Sequence, residues 1–278
     1  WRNPGPDRPD QSMTQEEFDR YTEMAGNEKR QLELNDEAAT YPLAPFRGPM
    51  TEIVNHILAT SPKPQPELAK LSALIAMAAS CPGSYSLMIG SMRLNLYGVG
   101  ISESGSGKDQ PRFIAASIVR GAGGKVLSKP ASGQALEDEL VANTPMLLEM
   151  DEAAHMFQEL NGKDALSSTI ALARLILMLF SHSRGVYSTR AKARGKENTS
   201  NVRNLANPML NMLGFCTPDK LGEVLSTANI EDGMLGRILF ARGRDKVKPL
   251  FVGDIELPSS IVKLSERVRL SSSGPNRE

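Results

Sequence analysis

Two cysteines are all that these 278 residues hold. Cys81 and Cys216 lie far apart among apolar neighbours, which leaves no disulfide framework and no metal-ligand spacing; both read as buried free thiols of a reducing compartment. An excess of charge is missing too. Lys plus Arg and Asp plus Glu stand at 32 each, so no global field draws in nucleic acid, and any such contact must come from a local patch. No run reaches the roughly eighteen apolar residues of a membrane span, and no signal-peptide pattern opens the chain. A soluble, cytoplasmic protein without membrane contact is therefore expected. Internal repeats are absent as well. With Trp as its first residue, the sequence is expected to be a piece of a longer chain.

What is present suffices for one sizeable core, since 40% of the chain is hydrophobic. Residues 1–45 are polar and proline-punctuated, and read as a linker or arm with a short helix at Thr14–Leu34. Helical spacing follows in a small accessory region, residues 46–92: Ile53, Val54, Ile57 and Leu58, then Leu68, Leu71, Leu74 and Ile75, separated by SPKPQP. Five apolar runs come next: Leu94–Ile101, Lys125–Leu127, Met146–Met150, Met209–Phe215 and Arg237–Ala241. Helical segments at Arg112–Val119, Gly133–Val141, Leu166–Phe180 and Pro218–Thr227 separate most of them. That alternation predicts an α/β three-layer sandwich around a mainly parallel sheet over residues 93–245, with 246–278 as a tail.

The first run leads into a glycine-rich turn, LNLYGVGISESGSGKD (94–109), with a helix at Pro111–Val119 behind it. Strand, glycine turn and helix make a P-loop layout, in which backbone N–H groups cradle phosphates and a lysine reaches their charge. Ser102, Glu103, Ser104, Gly105, Ser106, Gly107, Lys108 and Asp109 are the expected cradle. The pattern G-x-x-x-x-G-K-[ST] asks for glycine at 102 and a hydroxyl at 109, where this chain has Ser102 and Asp109. An ordinary Gly/Ser surface turn is the plainer alternative. Asp109 either ligates Mg²⁺ or caps the helix, and it either supports or weakens hydrolysis.

MLLEMDE (146–152) is an apolar strand ending in two acids. In a P-loop enzyme Asp151 would hold Mg²⁺ and Glu152 would polarise the attacking water; two solvated acids at a strand end are the alternative. Glu149, inside the strand, is expected to be packed against a helix or paired rather than catalytic. NPMLNMLGFCTP (207–218) offers Asn211 or Thr217 as a sensor of the γ-phosphate or the water. Arg237, in EDGMLGRILFARGR, is a candidate finger for a neighbouring subunit's nucleotide, with an ion pair to Glu231 or Asp232 as its rival. Ahead of the sensor run lies the local patch that the charge balance requires. Between 184 and 203, Arg184, Arg190, Lys192, Arg194, Lys196 and Arg203 face a single acid, Glu197, and one aromatic, Tyr187. Such a loop suits the phosphate backbone, although charge runs are commonly solvated faces.

These motifs in this order, LYGVGISESGSGKD, SKPASGQALEDEL (128–140), MLLEMDE, the basic loop before NPMLNMLGFCTP, and DGMLGRILF, resemble the phage- and prophage-borne P-loop proteins of the domain of unknown function 3987 type, relatives of replicative helicase and primase-helicase ATPases. The resemblance covers about residues 45–245. It implies an AAA+/superfamily-3-like or RecA-like ATPase core, a homo-oligomer in a hexameric ring, and DNA, chiefly single-stranded, as the partner, in a bacterial host cytoplasm. By motif position Lys108 would contact the phosphates of ATP, Asp151 the Mg²⁺, Glu152 the water and Arg237 the neighbour's nucleotide. A slow, nucleotide-gated adaptor or helicase loader is the second expectation.

Overall fold

The apolar runs become strands whose ends fall close to the expected ones: β1 Tyr97–Ile101, β2 Lys125–Leu127, β3 Met146–Met150, β6 Leu210–Cys216 and β7 Ile238–Arg242. A short antiparallel pair, β4 Val186–Ser188 with β5 Asn204–Ala206, precedes β6. The helices are α1 Pro49–Thr60, α2 Pro66–Ser80, α3 Asp109–Gly121, α4 Gly133–Ala142, α5 Ser167–His182, α6 Pro218–Val224 and α7 Ser259–Leu270. The computed structural model describes residues 46–87, 92–154, 167–190, 202–224, 233–252 and 256–271. The arm expected at 1–45, with its short helix, lies outside them.

The five long-range strands form one sheet in the order β2-β3-β6-β1-β7, and every pairing is parallel. Parallel neighbours need crossovers, and the intervening helices supply them on both faces. All carboxyl ends therefore share one edge: Ile101 pairs with Cys216 on one side and Arg242 on the other, and Met150 with Gly214. β6 lies between the strand that feeds the glycine turn and the strand that ends in the acids.

Every residue of β6 is buried, as expected of a central strand covered on both faces. Its side chains alternate. Met212 joins a core with Val99, Leu136, Leu140, Ile176 and Leu179, whereas Leu213 and Phe215 join one with Leu68, Ile75 and Ile118. The first core is closed by α4 and α5, the second by α1, α2 and α3.

The region expected to be a separate helical accessory is part of this second layer. Proline and an acid in the first turn start α2 at Pro66, and its Leu68, Leu71 and Ile75 are buried against β1. Two glycines of β1 permit the contact: a Cβ at Gly98 would approach Leu71 to 2.9 Å, and one at Gly100 would meet Phe215 at 2.5 Å. The expected tail is likewise not a plain tail. It contains α7, whose Ile261 is buried beside α1–α3, and Pro45–Glu278 clusters as one compact unit. Among the described residues no helix is long and apolar enough to cross a membrane.

Candidate functional site

The glycine turn leaves β1 at the carboxyl edge. Ser102 N–H donates to Cys216 O at 3.0 Å, and the Ser102 and Ser106 hydroxyls, both buried, meet at 2.6 Å. The serine in place of the first motif glycine thus braces the turn from inside. Gly105 (φ +68°) and Gly107 (φ +98°) adopt the left-handed conformation that glycine tolerates without strain. A Cβ at Gly107 would also overlap the Lys63 carbonyl, so that position excludes side chains twice over. Glu103, Ser104 and Gly105 are exposed at the tip, and Lys108 is half-buried where α3 begins. Asp109 opens the helix, where its negative charge is favourable, and its side chain is 76% exposed.

The acids come to the same edge. Cys216, at the end of β6, registers the convergence: burial pushes its thiol up to about 11, Glu152 raises it further and Lys108 opposes. Both charges therefore act on the end of β6. Glu152 Oε2 accepts from Lys220 Nζ of α6 at 2.9 Å, whereas Oε1 is buried without a partner among the described residues. Arg112 of α3 ties the remaining carboxylates together, with Nη1 at 3.1 Å from Glu149, and Nη2 at 3.4 Å from Asp151 and 4.0 Å from Asp109. Glu149 is nearly buried and also faces Arg120 at 3.6 Å, which makes it a paired structural acid.

Among the described residues no three His, Cys, Asp or Glu side chains group around a metal position. Asp109 and Asp151, sharing one guanidinium, are a pair of oxygen donors instead. Mg²⁺ is commonly held by one or two carboxylates while substrate phosphates and water complete its shell, and here both carboxylates already face a cation.

Two expected participants lie elsewhere. Asn211 is the second residue of β6, next to Met212, which pairs with the first residue of β1. It is wholly buried and accepts from Leu96 N–H at 2.9 Å. Five residue steps of strand, roughly 17 Å, separate it from Cys216, so it cannot reach a ligand on the turn. Thr217, the other sensor candidate, is the one at the carboxyl edge. Arg237 closes a 3₁₀ turn, Leu235–Arg237, just before β7, and so also sits at the amino edge. It donates to Gly233 O at 2.6 Å and is 3.4 Å from Ser181 Oγ. Arg237 has no route to the turn of its own chain.

The basic loop is carried by the β4–β5 hairpin, which runs into the amino end of β6. Lys192, Arg194 and Lys196 lie outside the described residues. Arg190 and Arg203 are not open cations: Arg190 Nε is 3.3 Å from Glu137 of α4, and Arg203 is bonded to Asp138. Glu137 is fully buried and also accepts from Tyr187, whose hydroxyl is held above its ordinary range by burial first and by that bond second. Arg184 is exposed at the base of the hairpin.

The sequence reading missed a third set of residues. SPKPQP, taken as an inter-helix connection, reaches the turn: Lys63 Nζ donates to Gly105 O at 2.6 Å. Gln65 is fully buried and donates to Ser106 O and Arg244 O, at 2.8 and 2.9 Å, while accepting from Arg244 N–H at 2.7 Å. Beyond β7, Gly243 N–H donates to Ile101 O at 2.7 Å, which brings the strap RGRDKVK (242–248) alongside. A cavity of about 510 Å³ between these segments is lined by Lys63, Ser104–Ser106 and Asp245–Lys248. The one signal in the sequence was the clustering of four cations within the strap, directly after an apolar run.

No protein-family model matches this chain, and no curated protein matches it in sequence.

Proposed function

We propose that this protein is an ATPase of the P-loop type, a helicase- or translocase-like motor that works on DNA as a ring of identical subunits. The observation that carries the reading is the placing of the glycine turn after β1 and of Asp151 and Glu152 after β3 at one carboxyl edge, on either side of β6, with Asp109 and Asp151 on one guanidinium. In parallel sheets ligands bind at the carboxyl edge, beside such turns.

In this reading the N–H groups of the turn and of the first turn of α3 hold the phosphates, and Lys108 adds its charge. Asp109 and Asp151 would be the residues to hold Mg²⁺, which when bound would supply neutralising charge to the phosphates. Glu152 offers its unpartnered Oε1 to the attacking water. Because Arg237 stands at the opposite edge, it can neutralise charge only at a neighbour's site, which is why a ring, hexameric by resemblance, belongs to the proposal. Single-stranded DNA would be engaged by the 184–203 hairpin. The test is hydrolysis of ATP with and without single-stranded DNA: the wild-type chain is stimulated, and Lys108→Ala and Glu152→Gln are silent. Turnover by Glu152→Gln at the wild-type rate would refute its role.

One observation favours a second reading, a slow nucleotide-gated adaptor that acts through protein partners. Arg190 and Arg203 are already paired within the chain, and Asp109 replaces the metal-binding hydroxyl. Turnover that single-stranded DNA leaves unchanged would select this alternative.

A further inference from the structure

The glycine turn accounts for phosphates alone; the nucleoside end of the ligand must leave it toward a neighbouring surface. The cavity of about 510 Å³ that Ser104, Gly105 and Ser106 share with the strap has room for that end. It is open toward solvent, but its walls are tied to one another. Gln65 cross-ties the turn to Arg244, Lys63 holds Gly105 O, and Leu250 N–H donates to Pro62 O at 2.7 Å.

Its chemistry is unlike that of a base pocket. Nucleobase sites read ring edges with a few fixed donors and acceptors against an apolar or aromatic wall. Here the lining carries three ammonium groups, Lys63, Lys246 and Lys248, and no aromatic side chain. Both N–H groups of the Gln65 amide are spent on backbone carbonyls, and Asp245, the one acid of the lining, faces Arg242 at 3.6 Å. Phe251, outside the lining and fully exposed, is the nearest aromatic along the chain, and a stack on it would accept any base, since every base has a π-face.

We infer that the site takes nucleoside triphosphates as a class, held by polyphosphate charge, and does not select the base. The inference rests on the phosphate-site reading above and narrows it, replacing ATP by any of the four common triphosphates. Lys246 and Lys248 act as charge donors to the ligand's phosphate and sugar end, not as base readers.

Competition against a fluorescent ATP analogue on the full chain, with Mg²⁺ present, tests this. Probes are ATP, GTP, CTP, UTP and inorganic tripolyphosphate, on wild type and on a Lys246→Ala/Lys248→Ala double variant checked for folding by circular dichroism. The expected result is a spread among the four nucleotides of about tenfold or less, with tripolyphosphate also displacing the analogue; a hydrogen-bonding reader discriminates far more strongly. The double variant loses affinity for all five by a common factor. A spread above about tenfold, or a loss confined to one base, overturns the inference and leaves the phosphate site standing. Tripolyphosphate that fails to displace overturns it in the same way. If no nucleotide binds the folded protein, the phosphate-site reading falls and takes the inference with it.

Discussion

Lys220 Nζ donates to Glu152 Oε2 at 2.9 Å, while the second oxygen of that carboxylate is buried and unpartnered. One oxygen is fixed, so the other has a defined direction. Replacing Lys220 by Met keeps the aliphatic stem and removes the donor, so the carboxylate loses its orientation and the ligand contacts remain. We expect kcat to fall by about tenfold or more, within the range of a positioned general base, at an unchanged nucleotide KM. An unchanged kcat would show that the pair is only a surface ion pair.

Arg237 and Lys108 belong to different sites if the ring is real, because they occupy opposite edges of one sheet. Lys108→Ala and Arg237→Ala are each expected to be inactive alone. Mixed, they should regain part of the wild-type turnover, because some interfaces then join an intact turn to an intact arginine. A mixture as inactive as its components contradicts a finger offered in trans.

The two glycines of the turn differ in what surrounds them. At Gly105 an added Cβ meets open space, so Gly105→Ala carries only the left-handed backbone cost, about 1 kcal/mol. At Gly107 it also overlaps the Lys63 carbonyl, so Gly107→Ala should cost roughly 2–3 kcal/mol in denaturant unfolding and abolish nucleotide binding. Equal costs at the two positions would refute the packing of SPKPQP on the turn.

At the hairpin, Asp138→Asn releases Arg203 from its ion pair. If the hairpin grips the nucleic-acid backbone, affinity for single-stranded DNA rises, and the slope of log affinity against log salt steepens by about one. The adaptor reading predicts no DNA binding in either protein. Nitrocellulose-filter or anisotropy titrations between low and moderate salt decide the matter.

Much of the layout was legible in the sequence because the apolar runs of a doubly covered parallel sheet are short, continuous and separated by helices. β3 matches its expected bounds, and β6 and β7 differ by a residue at each end. β1 begins three residues later than its apolar run, since Leu96 is taken up by the Asn211 side chain. Glu149, expected to be packed against a helix or paired, is held by Arg112 and Arg120. Depth along a strand was not legible: Asn211 and Thr217 belong to one polar-flanked run, and only the register sends one to each edge. Nor were contacts across the sequence. Lys63 and Gln65 lie some forty residues before the turn they brace, in a proline-rich connection that resembles any other. Nor could charge alone show the pairing at the hairpin, because the acids that meet Arg190 and Arg203 sit on α4, more than fifty residues earlier.

On the proposed function, the 102–109 turn binds triphosphate through Lys108. Equilibrium titration of a fluorescent ATP analogue in the presence of Mg²⁺, on wild type and on Lys108→Ala with matched circular dichroism, tests it most directly. Saturable binding by the wild type, weakened about a hundredfold or more in the variant by loss of a charged phosphate contact, is the predicted result. Equal binding by the two folded proteins, or none by the wild type, would contradict it.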